Sequence, residues 1–165
     1  MREHDAHDVL AQIEALCRHE MAFTDDRILD MPSIEAYFAG VRDEVANNGG
    51  FALVARLADA PDTRARPPCA HACVVVREDD AYVEEHRRRY AYVSDLFVAQ
   101  DARGIGIGTA LMAEVEHRTR AMGLNRIGIG ALAGNALALD AYRGWGFKPY
   151  VVHFVKDLDP DGAYP

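Results

Sequence analysis

Apolar residues recur at helical spacing in two early stretches of this chain. Val9, Ile13, Leu16, Cys17 and Met21 form one stripe, which predicts a helix over residues 8–23 with Asp8 as its cap. After a break at Thr24-Asp25-Asp26, Ile34, Tyr37, Phe38, Val41 and Val45 form a second stripe. It predicts a helix over 33–47, capped by Ser33 and ended by Asn47-Asn48-Gly49-Gly50. The pattern then changes period. Residues 51–58, 69–77 and 90–98 are apolar and partly β-branched, as strands are. A loop rich in Pro, Asp and Arg (60–68) separates the first two, and a charged connection (78–88) the second two. Leu111, Met112, Val115 and Met122 restore the helical period over 109–122, with Gly123 as the stop. A strand over 126–132, a helix over 135–143 and a long strand-like region over 147–158 complete the order α-α-β-β-β-α-β-α-β. No repeat or low-complexity tract interrupts it.

The most specific local pattern lies between the third strand and the third long helix. Val98-Ala99 closes an apolar run, Gln100-Asp101-Ala102 turns, and Arg103-Gly104-Ile105-Gly106-Ile107-Gly108 leads into the helix at Thr109. Glycines accept positive φ and let the backbone approach a ligand. The first N–H groups of a helix have no partner within it, and its dipole favours negative charge there. A phosphate or pyrophosphate fits such a place, and Arg103 adds positive charge at the mouth. Two nucleotide-binding patterns fit poorly. The glycine spacing is G-x-G-x-G rather than G-x-G-x-x-G, and the next strand carries no acid for a ribose; a P-loop needs a lysine before Thr109. A tight turn that uses glycine for packing alone is the remaining reading.

Arg103-x-x-Gly106-x-Gly108 resembles the pyrophosphate-binding motif, Q/R-x-x-G-x-G/A, of the GNAT superfamily of N-acetyltransferases. Asn135, opening a short helix that ends at Tyr142 and is followed by Gly146-Phe147, resembles that family's second signature. The resemblance is strong from about Ala91 to Lys148 and fades toward both ends. It implies an α/β fold of α+β type, a single domain over 1–165 with a mixed central sheet flanked by helices. Residues 1–50 would form the acceptor side and 90–148 the acetyl-CoA half. The family's first strand has no clear counterpart here, because Met1-Arg2-Glu3-His4 is a poor strand.

Composition narrows the classes. The chain has 165 residues, half of them apolar, enough for one domain with a real core. No apolar run approaches the roughly 20 residues that span a bilayer, and the polar N-terminus is unlike a signal sequence. Three cysteines, Cys17, Cys69 and Cys73, have no framework spacing, so a reducing cytoplasm is expected. Cys69-x-His71-x-Cys73 lacks a second ligand pair for structural zinc, and in a strand His71 would point away from both cysteines; no metal is expected. Residues 1–50 hold 11 acids against 4 arginines, so −7 of the net −8 lies there. Clustered Lys and Arg are confined to Arg87-Arg88-Arg89, which reads as a solvated hairpin tip; a nucleic-acid surface is excluded.

The resemblance also implies a chemistry. Acetyl-CoA would place its pyrophosphate on Arg103, Gly104, Ile105, Gly106, Ile107, Gly108 and Thr109, and its pantetheine arm along Leu96, Phe97 and Val98. Asn135 would bond the arm, cap its helix, or do both. A backbone N–H of Leu96 or Phe97 would polarise the thioester. Tyr142 stands where the family carries the phenol that meets the leaving thiolate; otherwise it is a core aromatic. An amine of pKa near 10 is about 99.9% protonated at neutral pH, so deprotonating it costs roughly 4 kcal/mol. A base is therefore needed. Ser94 stands where polyamine-type members carry glutamate, Asp95 is the nearest carboxylate but faces the other way unless a bulge turns it, and His153 is a third candidate. Tyr92 is expected toward the acceptor. Glu20, Asp25, Asp26, Asp30 and Glu35 form either an acidic rim that attracts a cationic amine or a plain solvated face. The expected function is direct N-acetyl transfer to a small-molecule amine or a peptide amino group. Transfer to oxygen, transfer of a longer acyl chain, a non-catalytic acyl-CoA sensor and a homodimer stay open.

Overall fold

The structure, a computed structural model, describes residues 3–57 and 66–158. Residues 60–65 of the expected loop, Ala58 of the expected strand, and Met1-Arg2 lie outside the described residues. A 3₁₀ turn (Glu3–Asp5) leads into α1 (Ala6–Glu20), followed by α2 (Met31–Asn48), β1 (Gly50–Ala55), β2 (Ala70–Glu78), α3 (Glu85–Arg88), β3 (Arg89–Val98), α4 (Ile107–Ala121), β4 (Ile127–Ile129) and α5 (Ala136–Gly144). The described strands form one sheet in the order β1-β2-β3-β4. β1 pairs with β2 and β2 with β3 antiparallel; β3 and β4 are parallel, joined through α4. No strand precedes α1 among the described residues, in line with the weak N-terminal strand signal.

Alternation in β2 divides the core between two layers. Ala70, Ala72 and Val74 pack with Leu111, Met112 and Val115 of α4. Cys73 and Val75 point the other way, onto Val41 of α2. Val9 and Ile13 of α1 pack on Ile34 and Phe38 of α2 to extend that second layer. His71 is enclosed there too: its Nδ1 lies 2.7 Å from Gln12 Oε1, and burial lowers its pKa to about 4. It is a neutral core histidine. Among the described residues, no three His, Cys, Asp or Glu side chains are grouped to hold a metal ion, and no helix is long and apolar enough to cross a membrane.

Several expected boundaries shift for identifiable reasons. Asp8 lies inside α1, which begins at Ala6. Asp30, not Ser33, caps α2: its carboxylate accepts from the Ser33 N–H at 2.8 Å, and a proline occupies the first turn. A proline needs no N–H there, so the helix starts two residues early. α4 starts at Ile107 rather than Thr109, because Gly106, at φ +90°, turns the chain directly into the helix. Met122, expected inward, is exposed at its end, and Thr119 is buried instead. The charged connection contains the single helical turn α3, and Arg88 folds back to donate to the carbonyls of Ala81 and Val83. The last difference is the largest. Residues 147–158, expected as a strand, pair with nothing in the sheet, and all from Lys148 onward are exposed.

Candidate active site

β3 and β4 are paired only over Ala91↔Ile127 to Val93↔Ile129. β4 then ends, while β3 continues to Val98 bonded to β2 on one side alone. The two strands part, and a cleft of about 460 Å³ opens between them. Its walls are the free edge of β3, the glycine loop, the start of α4, residues 129–132, and α5. Backbone groups on the free edge have no strand partner, so an extended amide chain can add there as a strand would.

The parting coincides with a β-bulge. Cys73 faces Asp95 and Val74 faces Val93, so Ser94 is an extra residue in β3. Its effect on side-chain direction is visible in the packing. Ala91 and Val93 face the α4 layer before the bulge; Leu96 and Val98 face it afterwards. Asp95 and Phe97 consequently share the opposite layer. There the Tyr37 hydroxyl donates to Asp95 Oδ2 at 2.9 Å, and Phe97 stacks on His71 with ring centroids 6.0 Å apart.

Ser94 lines the cleft; Asp95 lies behind it, only 4% exposed. The Ser94 hydroxyl is 3.2 Å from Asp95 Oδ2 and 3.3 Å from the Cys73 carbonyl, and donates to one or the other. Burial raises the Asp95 pKa, partly offset by the bonds from Tyr37 and Ser94. The same neighbourhood raises Tyr37, chiefly by burial and then by the Asp95 charge. Burial pushes the Cys73 thiol up to about 12. None of the three cysteines lines the cleft.

The loop meets the physical demands of an anion cradle. Gly104 and Gly106 have φ of +77° and +90°, and a Cβ on either would meet no protein atom within 4 Å. The space over them is open, not packed. Gly108 differs: a Cβ there would lie 3.2 Å from the Trp145 ring, so this glycine serves packing. Trp145 is fixed by an Nε1–H bond to the Thr109 hydroxyl at 3.1 Å. Arg103 lines the mouth, where its Nε–H donates to the Val98 carbonyl at 3.0 Å.

Gly104, Gly106, Ile107, Gly108 and Thr109 line the cleft together with Leu96, Phe97, Val98, Asn135 and Tyr142. Ile105 does not line it and is 63% exposed. Asn135 is buried and caps α5, its side-chain oxygen accepting from the Ala138 N–H at 3.1 Å. Tyr142 is half-buried against Trp145 and Phe147, and burial, with Tyr92 and Glu20 adding to it, pushes its phenol up to about 12. His153 lies in the exposed C-terminal segment and does not reach the cleft.

Three cleft residues come from the end of α1: Leu16, His19 and Glu20. His19 was not singled out from the sequence. Its only signal is a polar residue placed just beyond the apolar stripe of α1. The expected acidic rim is thinner than its composition. Asp30 caps α2, while Asp26 and Glu20 each bond Arg27 at 2.7 Å. Of that group, Glu20 alone lines the cleft.

The family profile described as Acetyltransferase (GNAT) family matches residues 14–147. Solved structures share the fold at low identity. A Bacillus halodurans protein superposes with TM-score 0.70 at 16% identity, over 94% of this chain and 95% of that one. An aminoglycoside 6′-N-acetyltransferase from Acinetobacter haemolyticus does so with TM-score 0.65 at 18% identity, over 96% and 97%. A predicted acetyltransferase with acetyl-CoA from Clostridium acetobutylicum has TM-score 0.66 at 16% identity, over 90% and 88%. A search of proteins with curated functions finds no match.

Proposed function

We propose that this chain, which belongs to the acetyltransferase (GNAT) family, is an N-acetyltransferase that passes the acetyl group of acetyl-CoA directly to a primary amine, a small cationic one or a peptide amino group. One observation carries the reading. A single cleft gathers the open glycine loop, the free edge of β3, the Ser94 hydroxyl and the Tyr142 phenol. Each of these answers a different part of such a reaction.

When bound, acetyl-CoA supplies the activated acetyl group as a thioester. This chain's residues hold it and move protons around it. Gly104, Gly106 and the first N–H groups of α4 hold the pyrophosphate, with Arg103 beside them. The free edge of β3 at Leu96–Val98 pairs with the amides of the arm, and Asn135 bonds it from the opposite wall. A backbone N–H of Leu96 or Phe97 polarises the carbonyl.

Asp95 is the base, acting through Ser94. The amine gives a proton to Ser94 Oγ as the Ser94 proton passes to Asp95 Oδ2, 3.2 Å away. A raised carboxylate pKa suits this task, because it makes the ion a stronger base. Tyr37 holds Oδ2 from behind and keeps it aimed at the serine. Tyr142 donates to the departing thiolate. Glu20 lines the cleft beside these groups, its carboxylate shared with Arg27, and offers an acceptor to a cationic amine. An amine acceptor is also what the solved aminoglycoside acetyltransferases of this fold use by their names.

Direct transfer needs both substrates bound at once, and no cleft cysteine offers a covalent alternative. Initial rates with acetyl-CoA and amine both varied should give intersecting double-reciprocal lines. Parallel lines, or a trapped acetyl-enzyme, would rule out direct transfer.

A further inference from the structure

The chain between the end of α1 and the first half of α2 is apolar where it meets solvent. Met21, Phe23, Ile28, Met31 and Tyr37 are each more than a third exposed. Exposed apolar residues scattered singly are ordinary, but several within one stretch beside a cleft mark a binding surface. Two contacts tie this stretch to the cleft. The Phe23 ring meets the His19 ring edge-on, with centroids 5.3 Å apart, and His19 lines the cleft. The same Phe23 ring reaches the loop before α5, where a Cβ on Gly134 would lie 3.2 Å from it. Leu132 and Asn135, on either side of that glycine, line the cleft as well. Phe23 therefore stands at the mouth, between the end of α1 and the start of α5.

Negative charge at the mouth is sparse by contrast. Among the described residues Glu20 is the one carboxylate that lines the cleft, and the Arg27 Nε–H already donates to it at 2.7 Å. Arg27 holds Asp26 too, and Asp30 caps α2. Asp25 and Glu35 do not line the cleft. A polycation gives up hydration at every ammonium group that enters a cleft, and each then needs an anionic partner. One shared carboxylate answers one ammonium. An apolar body needs no such partner and gains free energy in proportion to the area it buries.

We propose that the acceptor is a primary monoamine on an apolar body, an aralkylamine or a longer alkylamine, and not a polyamine or an aminoglycoside. This rests on the reading of the cleft as the place of transfer to an amine, and narrows the class of that amine. The amino group enters toward Ser94 while the apolar body lies against Leu16, His19 and Phe23. Phe23, at the mouth, is the residue that sets the preference.

A graded set of amines tests it on the full chain: the linear alkylamines from propylamine to hexylamine, 2-phenylethylamine, spermidine and kanamycin. Each is titrated calorimetrically into the CoA-saturated protein, and each is assayed for kcat/KM with acetyl-CoA. The alkylamines carry the same charge, so their series reads apolar burial alone. Affinity and kcat/KM should rise about fourfold with each added methylene, and 2-phenylethylamine should exceed spermidine and kanamycin by about tenfold or more. Phe23→Ala removes a partly exposed ring, so the variant should stay folded. It should weaken 2-phenylethylamine at least about tenfold and propylamine far less, with the KM for acetyl-CoA unchanged. Three results would overturn the proposal: a flat alkylamine series, a preference for spermidine or kanamycin, or a Phe23→Ala variant that keeps the native order and affinities. Binding of no amine at all would overturn it as well. Amines that bind in the expected order yet are never acetylated would uphold the apolar mouth and remove the transferase reading instead.

Discussion

At Tyr142 the physical chemistry is a matter of which proton state is held. With its pKa pushed up to about 12, the phenol is protonated at neutral pH and can donate to a thiolate of pKa near 8.5. Phenylalanine would keep the packing on Trp145 and Phe147 and lose only the donor. Tyr142→Phe should lower kcat by about 10- to 1000-fold and leave the KM for acetyl-CoA nearly unchanged, because the partner of the phenol exists only as the thiolate forms. An unchanged kcat would reduce Tyr142 to a core aromatic. Asp95 makes a sharper case. Burial raises its pKa, so the folded protein binds this proton more tightly than the unfolded chain does. The carboxyl therefore adds stability at acid pH, and that contribution is lost as pH rises through the folded pKa. Asp95→Asn keeps an acceptor for the Tyr37 hydroxyl and removes the buried charge. It should abolish most turnover and the acid limb of the pH–rate profile, while the Tm at neutral pH stays level or rises. A variant that unfolds more easily but still turns over would make Asp95 a structural residue.

At the scale of elements, the glycine loop was readable and the bulge was not. Arg103-x-x-Gly106-x-Gly108 carries its conformation locally, because positive φ selects glycine whatever surrounds it. The bulge at Ser94 depends on the register between β2 and β3, which no single segment encodes. Alternation alone turns Asp95 away from Ser94, and whether a bulge changes this is not written in β3 itself. The region 147–158 shows the complementary limit. Its residues have strand propensity, but a strand needs a partner edge, and propensity does not say whether one is present in the same chain. The caps show a smaller version. Asp30 and Ser33 are both good cap residues; Pro32 decides between them by its place in the first turn. The loop also yields a test that separates binding from packing. Gly108→Ala would press on Trp145, whereas Gly106→Ala meets no protein atom. At φ +90° alanine costs roughly 1–2 kcal/mol, and its methyl enters the space proposed for the pyrophosphate. Gly106→Ala should weaken acetyl-CoA binding at least about tenfold by calorimetry, with the far-ultraviolet dichroism unchanged. Equal affinity would remove the anion cradle from the account.

Over the whole molecule, the sheet is what turns scattered residues into a site. α1 and α2 cover one face and α4 the other, so the parted end of β3 and β4 is left open between them. The glycine loop on one side and Asn135 with Tyr142 of α5 on the other meet there from two separate stretches of sequence. A two-motif resemblance could point to them because both motifs lie within the β3–α5 half. Leu16, His19 and Glu20 meet them only through the docking of α1; sequence offered Glu20 as one acid of an expected rim and had no means to single out the other two for the cleft. Charge was legible as a total and not as a field: most of the net −8 lies in residues 1–50, yet ion pairs and a helix cap engage much of the expected rim, including Glu20, its one member at the cleft. The central claim is that this cleft moves an acetyl group from acetyl-CoA to an amine. The most direct measurement is the release of free CoA thiol across a broad panel of amines, with the acetylated products identified by mass spectrometry. The account predicts at least one amine, a cation by preference, that releases thiol and forms its N-acetyl product in equal amounts, at a rate that collapses in Asp95→Asn. Tight binding of acetyl-CoA with no amine raising thiol release above hydrolysis would contradict it, and would make the protein an acyl-CoA-binding module instead.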